Sequence, residues 1–413
     1  MKKLLITIFI LSFLLFSGCW DVLNLDLNDN NNMLKYTIDN IPENIIDANN
    51  NFSLELFKTI NTNEGDSNIF ISPVSVSFAL GMTMNGADRN TYEEMKNTLD
   101  FADLDIEKIN KSYLTLIDEL YNVSEGVEFN LANSIWYSDK FSLQNEFKNL
   151  NENYFKAKME GLDFNDVENS LDIMNSWVEE QTQGKIKNLI NRIYPNDCMF
   201  LINAIYFNAS WKYQFDETET EESQFYIDNE NAVNCDMMNI KSKFHFVKTN
   251  DYHALELPYA NENYSMLMLM PRSKNIDDFL NSINRDTIAK IQNKFEYDSI
   301  NISIPKLELE YEINLNDILI EMGIEEAFDS RSANFSKMFN ELQSSIWIDR
   351  VKQKSFLKVN EEGTEAAAAT AVVMTLGISD EKFMNFNIPY LFFIIEKQSN
   401  TILFCGKVVN PVE

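Results

Sequence analysis

Catalysis by this chain would have to run through very few side chains. Only two of its 413 residues are histidine, His245 and His253. A Ser-His-Asp hydrolase needs one of them as base, with a serine and an aspartate in reach. Neither histidine is marked in that way. No GxSxG elbow surrounds any serine, and no GxxxxGKS/T phosphate loop occurs. Both histidines lie in strand-like runs and read as packed or surface residues. Cys198, Cys235 and Cys405 sit in or beside apolar runs. They read as small buried hydrophobes rather than a disulfide framework. No CxxC or HExxH is present, so no zinc site is indicated. Carboxylate pairs abound, but 64 Asp and Glu make pairs by chance. No cofactor is implied, and the chain does not read as an enzyme.

One segment stands apart. From Glu361 to Val373 the sequence is EEGTEAAAATAVV, with no large polar side chain after Glu365. Alanine is the best helix former, so a surface helix is one reading. Period two gives the other. Thr364, Ala366, Ala368, Thr370 and Val372 would share one face of a strand, with Glu365, Ala367, Ala369, Ala371 and Val373 on the other. The first set is uniformly small. A strand entering an existing sheet must slide its side chains over a core of fixed volume, which small residues can do. Gly363 would be the pivot, because glycine adopts backbone angles that other residues resist.

The elements that would hold such a segment follow from the rest of the chain. Hydrophobic residues make up 45%, enough for a large core, and Gly (11) and Pro (8) are scarce. No period suggests a solenoid. The first third reads as helical. An amphipathic helix opens at Phe52. Ser72 is placed as an N-cap with Pro73 at the first helical position, opening a second helix in the apolar Ile69–Ala87 stretch. Thr91 and Glu94 have capping-box spacing. Phe129–Tyr137 reads as a strand, and Leu171–Gln183 as a helix stopped by Gly184. From Met199 onward strands dominate: Met199–Phe207, His253–Pro258, Ser265–Met270, Ile300–Pro305 and Ile346–Val359. A helix at Asn316–Met322 ends at Gly323. Tyr390–Glu396 and Thr401–Val409 form a hairpin signature. Helices first and strands later predict an α+β domain on large, mostly antiparallel sheets.

Charge and the N-terminus bound location and partners. The net charge is −30. Such a surface repels phosphate backbones and anionic lipid heads, so nucleic acid and bare membrane are poor partners. Lys2 and Lys3 precede a 13-residue apolar run, Leu4–Phe16, too short to span a bilayer comfortably. Phe16-Ser17-Gly18-Cys19 resembles a bacterial lipobox. That implies a signal peptide over 1–18 and lipidation of Cys19 on the extracellular face of a bacterial membrane. Cleavage of an ordinary secretory signal nearby is the alternative. Residues 19–51 are rich in Asn and Asp and read as a flexible tether before a folded domain at 52–413.

Ordered motifs along that domain are similar to those of the serpins. Asn68-Ile69-Phe70-Ile71-Ser72-Pro73-Val74-Ser75 resembles the family's helix at the sheet-opening shutter. Leu131-Ala132-Asn133 resembles a strand motif. Asn175-Ser176-Trp177-Val178 with Gln181-Thr182-Gln183-Gly184-Lys185-Ile186 resembles the covering helix and its exit. Leu201-Ile202-Asn203-Ala204-Ile205-Tyr206-Phe207 and Trp211 resemble the strand beside the insertion site and the Trp at its mouth, the breach. Leu255-Glu256-Leu257-Pro258-Tyr259 and Phe404-Cys405-Gly406-Lys407-Val408-Val409-Asn410-Pro411 complete the series. Glu361-Glu362-Gly363-Thr364-Glu365-Ala366-Ala367-Ala368-Ala369-Thr370 resembles the hinge of inhibitory members.

The resemblance implies helices packed on large antiparallel sheets with an exposed reactive-centre loop over about 361–385. It implies a monomer that traps a serine protease as a suicide substrate, its loop inserting into the main sheet after cleavage. A non-inhibitory serpin-fold surface protein is the alternative. Asn68, Ser72, Ser75, Asn203, Trp211 and Gln353 are the implied shutter and breach residues. Gln353 stands where many serpins carry a histidine; it can hydrogen-bond toward Asn203 and the Ser72/Ser75 region but cannot titrate. Family spacing puts the reactive bond after Gly377 counting from Glu361, or after Ile378 counting back from Tyr390. Leu376, Gly377 and Ile378 include no Arg or Lys, so a trypsin-like acidic pocket would be left unpaired. Chymotrypsin-, elastase- or subtilisin-like proteases with an apolar pocket fit better.

Overall fold

The computed structural model describes residues 41–101, 103–121, 126–194, 197–260, 262–273, 275–340, 346–364 and 382–413. Its first element, α1 (Glu43–Glu64), begins well before Phe52. The folded part therefore begins before the expected Phe52, because Ile45, Ile46 and Ala48 are core residues. The asparagines that disguised this helix are buried and paired. Asn49 Oδ1 accepts from Ser77 Oγ at 2.7 Å. Asn50 donates to the Asn400 carbonyl at 2.8 Å and accepts from the Ile402 amide at 2.9 Å.

A short strand β1 (Ile69–Ile71) leads into α2 (Pro73–Met84), whose every residue is buried. A helix apolar all round belongs inside a domain. Ser72 is its N-cap and Pro73 its first residue, but the Ser72 hydroxyl donates to the Leu403 carbonyl (2.8 Å) instead of capping. The expected capping box does not form in α3 (Arg89–Thr98), which starts after Asp88. Thr91 accepts from the Asn334 amide, and Glu94 accepts from the amides of Glu325 and Glu326. Both side chains hold a distant turn rather than their own helix end.

Next come α4 (Ile106–Tyr121), β2 (Val127–Ser138), α5 (Asn145–Phe155), β3 (Lys158–Leu162), α6 (Val167–Gln181) and β4 (Met199–Ser210). Helix α6 ends before its expected stop; Gln183 and Gly184 then turn left-handed (φ 51° and 79°). The strand-rich half holds β5 (Glu221–Tyr226), β6 (Ala232–Lys248), β7 (Tyr252–Pro258) and β8 (Tyr264–Pro271). Helices α7 (Ile276–Ser282) and α8 (Arg285–Gln292) follow, then β9 (Glu296–Pro305), β10 (Leu307–Asn314) and α9 (Asn316–Glu321). The last strands are β11 (Lys352–Val359), β12 (Gly363–Thr364), β13 (Phe383–Asn385), β14 (Tyr390–Glu396) and β15 (Thr401–Val408).

Strand β11 is shorter than the Ile346–Val359 run predicted. Residues before Lys352 spend their hydrogen bonds elsewhere: the Ile348 amide on Ala327 and the Val351 carbonyl on Leu315. The α+β architecture is as expected. A nine-stranded sheet runs β1-β15-β14-β8-β7-β6-β9-β13, with β5 on β6. A six-stranded sheet runs β10-β11-β12-β4-β2-β3. Pairing is antiparallel except β2–β3 and β9–β13. Strands β14 and β15 are buried throughout, which is why they read as unbroken apolar runs. Helix α2 lies under the six-stranded sheet, with Ser75 reaching Asn203 of β4. Helix α6 lies over it, with Trp177 edge-on to Trp136 of β2. A separate apolar cluster of Trp136, Met174, Val178, Ile186, Leu189 and Phe200 fills that outer layer.

Candidate functional site: the gap in the six-stranded sheet

Strands β4 and β11 both run antiparallel to β12 and so parallel to each other. Only β12 bridges them among the described residues. Thr364 pairs with Val359 on one side and Ala209 on the other, and Gly363 pairs with Ser210. The bridge is two residues long; β4 has twelve residues and β11 eight. Among the described residues, β4 and β11 are therefore joined at one end only, and the rest of their facing edges has no described strand between them.

A dense set of contacts fixes that joined end, the breach. The Asn360 carboxamide accepts from the amides of Glu362 (3.2 Å) and Gly363 (3.1 Å), folding the turn between β11 and β12. Trp211 donates its indole N–H to the Asn360 carbonyl (3.0 Å) and its amide to Glu362 (2.9 Å). Its ring stacks on Tyr259, centroids 4.7 Å apart. The Tyr259 hydroxyl meets Thr364 Oγ1 at 2.9 Å. Burial pushes the Tyr259 phenol up, so it stays protonated and can donate. Glu361, 4% exposed, lies 2.8 Å from Lys306 Nζ and accepts from Thr220 Oγ1 at 2.6 Å. Burial alone would raise its carboxyl, but the hydrogen bonds from Lys306 and Thr220 outweigh it and hold the group below its ordinary value.

Gly363 is indispensable here, though not for its backbone angles, which lie outside the left-handed region. A Cβ at this position would stand 2.1 Å from the Ala209 carbonyl oxygen and 2.6 Å from Ser210 Cα. Space, not conformation, demands the glycine. Thr364 faces inward as expected, 1% exposed.

The shutter lies further along the gap. Gln353 brackets the backbone of Ser72, donating to its carbonyl at 2.8 Å and accepting from its amide at 3.3 Å. It is bonded to neither Asn203 nor Ser75. Ser75 instead donates to Asn203, which donates to Asn133 Oδ1 (2.6 Å), which donates to the Phe155 carbonyl (2.9 Å). Between β4 and β11, above α2, lies a small recess of about 20 Å³. Leu201, Asn203, Val351, Gln353 and Ala79 are among its walls. Asn68 does not belong to this cluster. It bonds the backbone of Val409 and Asn410 and fastens the C-terminal segment, because its side chain faces β15 across β1.

The far foot of the expected loop lies earlier than residue 385. Phe383–Asn385 pair with Asn301–Ser303 of β9, and Lys382 Nζ lies 2.9 Å from both Glu296 and Asp298. Glu365, Ala366, Ala367, Ala368, Ala369, Thr370, Leu376, Gly377, Ile378 and Cys19 lie outside the described residues.

The partners of Glu361 escaped sequence reasoning. Lys306 and Thr220 sit far from it in the chain, and neither has a local signature. Asn133 and Tyr259 were signalled only as parts of motifs. Elsewhere, His245 faces Glu256 at 3.5 Å, and burial pushes His253 down to about 4. Cys235 and Cys405 are buried free thiols, and Cys198 is half-buried. Among the described residues, no His, Cys, Asp and Glu cluster is placed to hold a metal, and no helix is long and apolar enough to cross a membrane.

Comparison with known proteins assigns this architecture. The family model described as serpin, serine protease inhibitor, matches residues 47–411. The intracellular coagulation inhibitor 2 of Tachypleus tridentatus is 34% identical, over 91% of this chain and 93% of its own. The native structure of a thermophilic serpin, tengpin, superposes with a TM-score of 0.82 at 31% identity, covering 90% of this chain and 95% of tengpin. Human thyroxine-binding globulin in complex with thyroxine gives the same TM-score at 28% identity, covering 89% of this chain and 99% of its own. With a match spanning nearly the whole described fold, this chain belongs to the serpin family.

Proposed function

We propose that this serpin inhibits a serine protease by suicide-substrate trapping. The observation that carries the reading is the place of β12 between β4 and β11, where the hinge enters the sheet. The β12 registers, continued one residue at a time, would set Ala366 between Leu357 and Phe207 and Ala368 between Ser355 and Ile205. Thr370 would come between Gln353 and Asn203, and Val372 between Val351 and Leu201. Those last four neighbours are walls of the recess. The inward-facing residues of the arriving strand are thus small, and the one hydroxyl arrives at the polar shutter. This match supports insertion over a surface helix.

The chemistry is that of an interrupted hydrolysis. The protease serine oxygen bonds the bait carbonyl carbon near Leu376-Gly377-Ile378. The peptide C–N bond breaks, and the new amine leaves with a proton. The freed hinge then inserts and drags the acylated protease along the sheet. Misplacing a catalytic constellation by even ~1 Å can lose about 100-fold in rate, so the ester is not hydrolysed. The apolar bait suits chymotrypsin-, elastase- or subtilisin-like targets. On this reading the protein acts as a lipid-anchored monomer on the cell surface and is consumed once.

Incubation with a panel of serine proteases, read on a denaturing gel, tests the proposal. A covalent complex with an apolar-pocket protease, cut between Thr375 and Ser379, is the expected result. Cleavage without complex by every protease would refute trapping. That outcome would favour the second reading, a non-inhibitory binding protein, which the likeness to thyroxine-binding globulin supports.

A further inference from the structure

Between the first turns of α1, helix α8 and the turn joining β14 to β15 lies a groove of about 560 Å³, many times the recess at the shutter. Its apolar wall is built from Ile41, Ile46, Ile288, Ile395 and Ile402. Its charged lining is acidic. Glu43, Asp47 and Asp286 stand there against one cation, Arg285, which is already paired with Asp47. Asn50 also lines the groove, but its carboxamide is spent on the backbone of Asn400 and Ile402. What the groove offers an occupant is therefore apolar surface and negative charge.

The described chain begins at Ile41, in the wall of this groove. The residues before it are tethered at its mouth, which gives them a high effective concentration there. One stretch among them has the matching chemistry. Met33-Leu34-Lys35-Tyr36-Thr37-Ile38 is mostly apolar, holds no acid and carries the one cation of residues 20–40, Lys35. Asn28-Asp29-Asn30-Asn31-Asn32 sets it apart from the apolar run at 22–27, which includes Asp26. In an extended chain Leu34, Tyr36 and Ile38 share one face and Lys35 lies on the other. Five residues separate Tyr36 from Ile41, and an extended chain spans about 18 Å in that distance, enough to reach across a groove of this size.

We propose that residues 33–38 fold back into this groove, with Leu34, Tyr36 and Ile38 on the isoleucine wall and Lys35 towards Asp286 and Glu43. The inference is independent of the trapping reading. It divides the tether into a docked strap beside the domain and a spacer that starts after Cys19 and ends at Asn32. A lipid on Cys19 would then hold the domain on a leash of at most about 50 Å, measured to Met33, rather than about 80 Å, measured to Ile41.

Hydrogen exchange of the full chain, read by mass spectrometry on the peptide covering residues 33–40, tests this. In the parent that peptide should exchange about tenfold slower than in Leu34→Asp/Tyr36→Asp, which removes the apolar face without touching the described fold. Ala289→Trp puts a bulky ring into the groove from an exposed position on α8 and should raise exchange to the same rate. Lys35→Glu should also raise it, and Lys35→Glu/Asp286→Lys should restore protection. Equal exchange in the parent and in Leu34→Asp/Tyr36→Asp would overturn the docking. Protection untouched by Ala289→Trp, or a charge reversal that restores nothing, would overturn the placement in this groove. Protection lost on dilution would give the groove to the segment of a second copy. A small amphiphile retained in native mass spectrometry, with the segment exchanging freely, would make the groove a ligand site instead.

Discussion

Thr364 and Glu361 divide the work at the breach. Thr364 is the last described residue before the bait and already sits in the sheet, its hydroxyl against Tyr259. An arginine there would place bulk and an unpaired charge in a tight core. Insertion races hydrolysis of the acyl-enzyme, and slowing it by ~3 kcal/mol shifts that race by roughly two decades. Thr364→Arg should therefore turn the inhibitor into a substrate, cut at the same bond with no complex on a denaturing gel. Unimpaired trapping would contradict the hinge account. Glu361 gives a pH dependence. Its carboxyl is depressed below the ordinary 4.5. A depressed carboxylate contributes stability that is fully present above its unfolded value and lost as pH falls through the folded one. Stability in urea should thus fall below pH ~4.5 more steeply in the parent than in Glu361→Gln, and parallel curves would show that the Lys306 contact contributes nothing.

At the scale of elements, the sequence was most legible where one interaction decides. Strands buried on both faces, such as β14 and β15, announced themselves by composition. The start of α2 was visible because Pro73 at the first helical position is a local signal, although the Ser72 side chain bonds Leu403 rather than the helix end. Legibility failed where polar residues serve distant partners. The asparagines of α1 read as tether, yet they bond Ser77, Asn400 and Ile402 across the fold. Thr91 and Glu94 mimic a capping box while holding another turn. The hinge is proposed on small side chains at period two, but the steric role of Gly363 was not legible. Its neighbours Ala209 and Ser210 lie about 150 residues away, visible only once strands pair. The shutter makes a prediction of its own. Gln353→Leu would strand the buried amide of Ser72 and leave its carbonyl only the long bond from the Val76 amide. It should lower unfolding stability by ~1–3 kcal/mol in urea, and no loss would show that water replaces the carboxamide.

At the scale of the whole molecule, the proposals concern placement on the cell and the sheet between β4 and β11. The charge of −30 keeps phosphate and anionic lipid surfaces at a distance, so attachment to a membrane would rest on Cys19. Cys19→Ala should release the protein from the cell or leave it unprocessed. Parent protein found wholly in the medium without lipid, by mass spectrometry, would end that proposal. The central claim concerns the gap between β4 and β11. Among the described residues only Gly363 and Thr364 bridge the two strands, and a cleaved loop that inserts would complete the hydrogen bonding along both. Heat denaturation of the protein before and after limited cleavage near Leu376 tests this most directly. Insertion predicts that the cleaved form melts far above the intact one. Equal or lower melting after cleavage would mean that the gap stays open and that the molecule is not a spring.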